Sequence, residues 1–419
     1  MDIRLHQVRP KYDLPKEFLR IPAMPPADVL RRDIVQAIRQ TFEDEQINPP
    51  VPRKLGDIPI SYDSITTEWL TDTLNPGSTG TVVKRHTLGP KDNGTANRRR
   101  IHLEWEGPDA EKFPASVFCK AAHALENRIV LSSGGTRSEV SFYNDVRARV
   151  DIEAPSAYFA AYDRQSWASM IMLRDIGDGA IFCTHKTVLT KAQFAEQIRI
   201  LAKLHGRFYQ SKEPFFETLV QYRDRFENLI SFLDIETVCT NGFRAAEEVI
   251  PPRLFARQAE VWPATIKSVY HNASLPPTVV HGDVHLGIKS PACYGNWYIT
   301  AEGYMGLTDW QALSRGHWSR DLAYILGTAV PADKRRLWED EMVHLYISEL
   351  EKAGGPRTDP KDAWLELRRQ SFGALWYWTM TLTPSTSMPD MQSKETTLDF
   401  VGRIAALIDD HDALDAFNN

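Results

Sequence analysis

A chain of 419 residues is longer than one hydrophobic core usually holds, so two or three packed units are expected. Hydrophobic residues make up 42% and charged residues 25%, an ordinary globular balance. The net charge of −6 argues against a nucleic-acid partner, whose phosphates call for a basic surface.

The first residues, MDIRLHQVRPKYDLPKEF, carry charges throughout and lack the apolar stretch of a signal peptide. No apolar run reaches the ~18 residues that cross a bilayer. The four cysteines, Cys119, Cys183, Cys239 and Cys293, form no C-x-x-C pair and have no histidines at zinc spacing. A cytoplasmic protein with reduced thiols, no membrane and no evident protein partner is the expectation.

In chain order, residues 1–55 read as a proline-rich extension. Within it Val29, Leu30, Ile34, Ala37 and Ile38 recur at helical spacing, which predicts one amphipathic helix over 27–43, packed on the main body. Residues 56–175 read as a small strand-rich unit. TGTVVKRHTLGP and NRRRIHLEW alternate apolar with polar residues, PASVFCK is rich in strand formers, and SWASMIMLRDI suits a buried strand. Between them SEVSFYNDVRARV switches to helical spacing through Val140, Tyr143 and Val146.

Residues 176–419 read as mostly helical. LTKAQFAEQIRILAKLHGRFY opens this half, with Thr190 as a cap and Gly206 near its end. Further helices are expected at 215–234, 242–249, 255–270, 319–327, 332–353, 360–382 and 393–414. A small antiparallel sheet followed by a large helical body is an α+β pattern of two lobes with a cleft between them.

The chemistry concentrates in two turns. His281-Gly282-Asp283-Val284-His285 follows the apolar run TVV, and Gly306-Leu307-Thr308-Asp309-Trp310-Gln311 comes 26 residues later. Each is an acidic residue just past a short strand, and together they set two carboxylates at one cleft. Phosphoryl transfer needs that pair, because its transition state asks for positioning and charge neutralisation more than covalent help. One carboxylate orients the acceptor hydroxyl and takes its proton, and the other holds magnesium on the ATP phosphates.

Upstream, Lys120 ends PASVFCK where it can hold phosphates, and Glu139 opens the next helix where it can pair with Lys120. Gly89 and Gly94 lie in the turn LGPKDNGTANR, where small residues let backbone N–H groups approach phosphates. Met172, in the run Met170 to Leu173, is expected to join the lobes and offer backbone groups to adenine. His205 reads as a hydrogen-bonded core residue, and Trp376-Tyr377-Trp378 as core rather than site.

This ordered set resembles the aminoglycoside phosphotransferase and choline kinase superfamily, closest to its ecdysteroid-kinase-like branch of small-molecule kinases. The resemblance is carried by PASVFCK (114–120), SEVSFY (138–143), LAKLHGRFY (201–209), VVHGDVHLG (279–287), NWYIT (296–300) and MGLTDWQ-x4-GHWSRDLAY (305–324). It implies a kinase-like fold and a kinase using ATP and Mg2+ on a hydroxylated small molecule. It further implies that Asp283 is the catalytic base, that Asp309 is a magnesium ligand, and that Lys120, paired with Glu139, contacts the α- and β-phosphates. Asp321 would hold the catalytic-loop backbone, and His281 would bridge that loop to the residues around Asp309.

The family runs from His-Gly-Asp-x-His-x-Gly directly into an asparagine, the second magnesium ligand. Here Ile288 follows Gly287, and Asn-Trp-Tyr appears only at Asn296, so IKSPACYG (288–295) reads as an eight-residue insertion. Either the insertion loops out and Asn296 resumes the ligand position, at a closure cost that grows only with the logarithm of loop length, or the metal site is weakened and the chain is a pseudokinase. A protein kinase fits less well, since Arg320-Asp321 follows Asp309 by only eleven residues, leaving little room for a peptide platform. For the acceptor, the C-terminal helices offer the carboxylates Glu366, Asp390 and Glu395 and the aromatics Trp364, Phe372, Trp376 and Trp378. That mixture favours a mostly apolar, hydroxylated metabolite over a cation.

Overall fold

The computed structural model describes residues 27–77, 80–232, 234–287, 295–384 and 392–418. The prolines ahead of Ala27, most of the insertion (288–294, with Cys293) and Asp390 lie outside the described residues.

The helix expected in the extension forms as α1 (Ala27–Ile47). Its Ile38 is fully buried, and its Glu45 meets the buried Arg128 of α3 (Leu125–Leu131) at 2.7 Å. Between them in sequence comes α2 (Thr67–Leu74), capped by the Thr66 hydroxyl, which accepts from the Trp69 N–H.

The alternating segments form β1 (Val82–Leu88) and β3 (Asn97–Glu106), with a short β2 (Asp92–Asn93) folded back on β3. With β4 (Ser116–Ala122), β5 (Ala157–Tyr162) and β6 (Ser169–Arg174) they make an antiparallel sheet in the order β1–β3–β4–β6–β5. Strand geometry sends alternate residues to opposite faces. Ile101, Leu103, Val117, Cys119, Met170 and Met172 face outward, where α2 covers them with Trp69 and Leu70. Arg98, Arg100, Phe118, Lys120 and Leu173 face the cleft.

The helix expected from Ser138 starts as α4 (Gly135–Ser141) and loosens into a π-helical turn over Phe142–Val146. There Phe142 stacks flat on Trp310, with ring centroids 3.5 Å apart.

The second lobe is helical: α5 (Lys191–Arg207), α6 (Pro214–Thr218), α7 (Tyr222–Phe232), α8 (Ile235–Ala245), α9 (Pro252–Ala256), α10 (Gln258–Ser274), α11 (Ser319–Thr328), α12 (Ala332–Lys352), α13 (Pro360–Gln370), α14 (Phe372–Leu382) and α15 (Lys394–Asp410). Thr190 and Gln193 close a capping box at the start of α5. The helix expected over 242–249 lies earlier, because Asp234 caps it through the Thr237 N–H. The helix expected over 360–382 is two, α13 and α14. Gln370 is drawn inward to the Ser268 carbonyl (3.1 Å) and to Asn272 (2.9 Å), and the Ser371 hydroxyl bonds back to the Arg368 carbonyl (2.9 Å).

Five short strands lie under the cleft: β7 (Ala180–Phe182), β8 (Thr278–Val280), β9 (Trp297–Thr300), β10 (Met305–Leu307) and β11 (Ser314–Gly316). β7, β9 and β10 form one antiparallel sheet, and β8 pairs with β11. The result is the two-lobed α+β architecture expected. Among the described residues no helix is long and apolar enough to cross a membrane.

Candidate active site

The turn after β8 is built around a glycine. Gly282 has φ +85°, and a Cβ there would stand 2.5 Å from the Ala312 carbonyl oxygen, so a side chain is excluded on two counts. Asp321, in the first turn of α11 and fully buried, clasps this loop. Its carboxylate accepts from the backbone N–H of His281 (2.6 Å) and of Gly282 (3.0 Å), with His205 at 3.3 Å and Arg320 at 3.3 Å. Burial works to raise its pKa, but the His205 and Arg320 partners hold it below the usual range. His205 itself is a core residue, with its other ring nitrogen 2.6 Å from the Tyr346 hydroxyl.

His281 links the two turns. Its Nδ1 accepts from the Asp283 N–H (3.2 Å), which leaves Nε2 to carry the hydrogen and donate to the Thr308 carbonyl (3.0 Å). Burial depresses its pKa, so the neutral ring this pattern needs is the form the site keeps.

Asp283, next along the turn after β8, keeps 37% of its side chain exposed. The Tyr324 hydroxyl donates to Oδ1 (2.9 Å), and Asn296 donates to Oδ2 (3.1 Å) with His285 close by at 3.4 Å. Burial opposes ionisation, yet the His285 ring and the Tyr324 hydroxyl beside it hold the carboxyl below the ordinary range.

Across the cleft, Lys120 Nζ stands between Glu139 (2.7 Å) and Asp309 (3.1 Å). Burial would strip the ammonium of its proton, but the two carboxylates more than offset it. Burial pushes Glu139 up, while Lys120 draws Asp309 down against its own burial. Asp309 has φ +64°, a left-handed backbone uncommon for a residue with a side chain, and such strain gathers at functional sites.

Asn296 returns to the catalytic loop despite the insertion. Leu286, Gly287 and Gly295 are packed so closely that a Cβ on Gly295 would lie 2.1 Å from the Leu286 carbonyl oxygen and one on Gly287 2.0 Å from the Gly295 Cα. The two ends of the segment therefore meet, and only glycine permits it. Asn296 Nδ2 donates to the Asp283 carbonyl (2.6 Å), and the Asn296 carbonyl accepts from the Thr308 N–H (2.8 Å).

The donor set suits magnesium. With Nδ2 spent on Asp283, the amide oxygen of Asn296 is the atom that would be left to meet a metal, and the Asn296 backbone is bonded to Thr308, the neighbour of Asp309. Among the described residues no three His, Cys, Asp or Glu side chains gather into a cage, and Mg2+ takes one or two protein oxygens plus phosphates and water.

A cleft runs from Lys120 and Asp309 to the segment after β6, Asp175–Gly177, with Phe118, Leu173, Ile176 and Phe182 as its apolar walls. Met172 and Gly94, expected at the nucleotide, are not among its lining residues. Met172 is fully buried on the outer face of the sheet, set between Cys119 of β4 and Phe159 of β5, so its neighbour Leu173 lines the cleft and the segment after β6 joins the lobes. Gly94 turns away, its N–H bonded to the Ala96 carbonyl and its own carbonyl accepting from Asn127.

The acceptor carboxylates are also committed elsewhere: Glu366 to His271 (2.8 Å) and Arg369 (2.8 Å), Glu395 to Lys186 (2.6 Å). Trp376 and Trp378 are buried, though the Trp378 ring edge reaches His285 (5.1 Å). The residue sequence reasoning missed is Tyr324. It sits three positions after Asp321, and that spacing on a helix puts both on one face. Cys119, Cys183 and Cys239 are buried free thiols, and burial pushes Cys183 and Cys239 up to about 12.

No family model and no curated protein matches the chain. Among solved structures it is similar to a choline kinase from Streptococcus pneumoniae (12% identity, TM-score 0.41, covering 78% of this chain and 94% of that one). It is similar also to a Plasmodium vivax ethanolamine kinase (9%, 0.43, 79% and 83%). A third is an aminoglycoside phosphotransferase from Streptomyces rimosus, solved with ADP and streptomycin (16%, 0.37, 67% and 89%). At such scores the chemistry has to come from the residues themselves.

Proposed function

We propose that this chain is an ATP- and Mg2+-dependent phosphotransferase that phosphorylates a hydroxyl group of a small molecule, as a member of the aminoglycoside phosphotransferase and choline kinase superfamily. The observation that carries this reading is Lys120 set between Glu139 and Asp309 at the cleft, with His281 tying the turn that carries Asp283 to the turn that carries Asp309, and Asp321 holding the first of these turns. Lys120, kept in place by Glu139, grips phosphates. Asp309 and the oxygen of Asn296 hold magnesium, which when bound neutralises phosphate charge.

Asp283 is ionised and partly exposed, so it accepts the hydrogen bond of the acceptor hydroxyl and aims its oxygen. It takes the hydroxyl proton as the oxygen bonds to phosphorus. The apolar walls of the cleft hold the base.

Calorimetry of ATP with and without magnesium on the wild type, Asp309→Ala and Asn296→Ala tests the assignment. The expected result is that each change weakens the metal-dependent part of binding. Wild-type binding indifferent to magnesium, or an Asn296→Ala protein that behaves as wild type, would mean the insertion has altered the metal site, and would bring the pseudokinase alternative forward.

A further inference from the structure

We propose that Arg225 of α7 is a positioning residue for the phosphate-gripping lysine: it docks α4 against the turn that follows Asp309 and so delivers Glu139 to Lys120. The inference rests on the nucleotide reading above and adds a residue that does not line the cleft. Glu139 meets Lys120 at 2.7 Å only while α4 sits in one place. That helix has seven residues, too few to hold itself in water, so its position is set by what it packs on.

Two contacts bind it to the turn that carries Asp309. The buried Ser138 hydroxyl donates to the Leu313 carbonyl (2.7 Å). Four residues on, in the π-helical turn that follows α4, Phe142 stacks on Trp310. Residues four apart share a helix face, so one face of this segment is pinned at two heights. Glu139, the residue after Ser138, lies about 100° further round the helix, where Lys120 meets it.

Arg225 secures the first contact from the helical lobe. Its Nη2 donates to the Ser138 hydroxyl oxygen (2.8 Å) and to the Leu313 carbonyl (3.2 Å), and its Nη1 donates to the Gln311 carbonyl (3.0 Å). One planar fork thus holds a residue of the helix and two carbonyls of the turn together, which a point-like ammonium does not do. These acceptors are neutral, so the contact fixes geometry without forming an ion pair, and burial lowers the pKa of the guanidinium. α7 is itself anchored beside the site, because the Val220 carbonyl just ahead of it accepts from the Arg315 N–H of β11 (2.8 Å). The position of α7 is passed to Glu139 through Arg225 and Ser138.

The test is calorimetry of MgATP on the full chain and on Arg225→Met, Glu139→Gln and the double variant, with melting curves and hydrogen exchange in parallel. Arg225→Met should weaken MgATP by roughly 3- to 30-fold with Glu139 present and by less than about twofold once Glu139 is replaced, because residues that act through one another are not additive. Hydrogen exchange should speed up over residues 135–141 and stay as in the wild type over α5. Should Arg225→Met not fold, Ser138→Ala carries the same cycle, and should Glu139→Gln bind too weakly to measure, the exchange result decides. A folded Arg225→Met that binds MgATP as the wild type does, a loss equally large with Glu139 replaced, or unchanged exchange in α4 overturns the assignment. A merely structural role would lower the melting temperature and leave nucleotide affinity intact. A wild type that binds no MgATP overturns the nucleotide reading instead, and the exchange over 135–141 then still tests the docking of α4.

Discussion

Both carboxylate oxygens of Asp283 are engaged, one by Tyr324 and one by Asn296, and these partners set its rotamer as well as its charge. Replacing it with asparagine keeps the shape and removes the acceptor. Asp283→Asn should therefore lower turnover by ~10²- to 10⁴-fold, while calorimetry finds MgATP affinity unchanged. Tyr324→Phe removes one charge-assisted hydrogen bond that fixes the Asp283 rotamer, so turnover should fall by about tenfold through lost positioning, with the protein still folded by circular dichroism. Lys120, Glu139, Asp309 and Asp321 stand out in the sequence because each follows a recognisable strand or opens a helix. Tyr324 does not, since nothing in a tyrosine's chemistry reveals which helix face meets the loop. Met172 fails by one residue: in a strand, a single step reverses the face.

At the scale of elements, α11 acts as a clasp. Its N-terminal turn brings Asp321 to two backbone N–H groups of the catalytic loop, which β8 and its partner β11 deliver. Asp321→Ala would leave both donors, His205 and Arg320 without their shared acceptor. Urea unfolding should show a loss of about 3–5 kcal/mol, and activity should be lost even where the variant remains folded. The same logic explains the divided helix 360–382. Its hydrophobic pattern runs on without a break, but Gln370 finds its partners in α10, and local periodicity does not report them.

Across the whole molecule the lobes are joined by polar contacts that both sides need. Lys120 from the sheet reaches Asp309, and Arg225 of α7 ties the Ser138 hydroxyl (2.8 Å) to the carbonyls of Gln311 (3.0 Å) and Leu313 (3.2 Å). Buried histidines make this assembly acid-sensitive. Burial pushes His123 and His317 down to about 3 and also lowers His281, whereas an unfolded histidine titrates near ~6.5. Between those values the unfolded chain binds protons that the native one refuses. Stability is thus complete above about pH 6.5 and falls as pH drops toward 3, by up to ~1.4 kcal/mol per pH unit for each such ring. Melting temperatures measured from pH 7 to pH 4 should decline, and His317→Asn should flatten the slope.

Read alone, the sequence determined the order of the elements, the small sheet ahead of a helical body, and the two acidic turns 26 residues apart, because periodicity and turn chemistry are local properties. Only the tertiary structure decided that Asn296 lies against Asp283 in spite of the eight residues inserted ahead of it, and that Leu173 rather than Met172 faces the cleft. It alone brought Arg98 opposite Lys120, and it turned Glu366 and Glu395 away to other partners. Those are matters of which distant segments meet, and in which register, and they are settled by packing between segments that the local pattern does not connect.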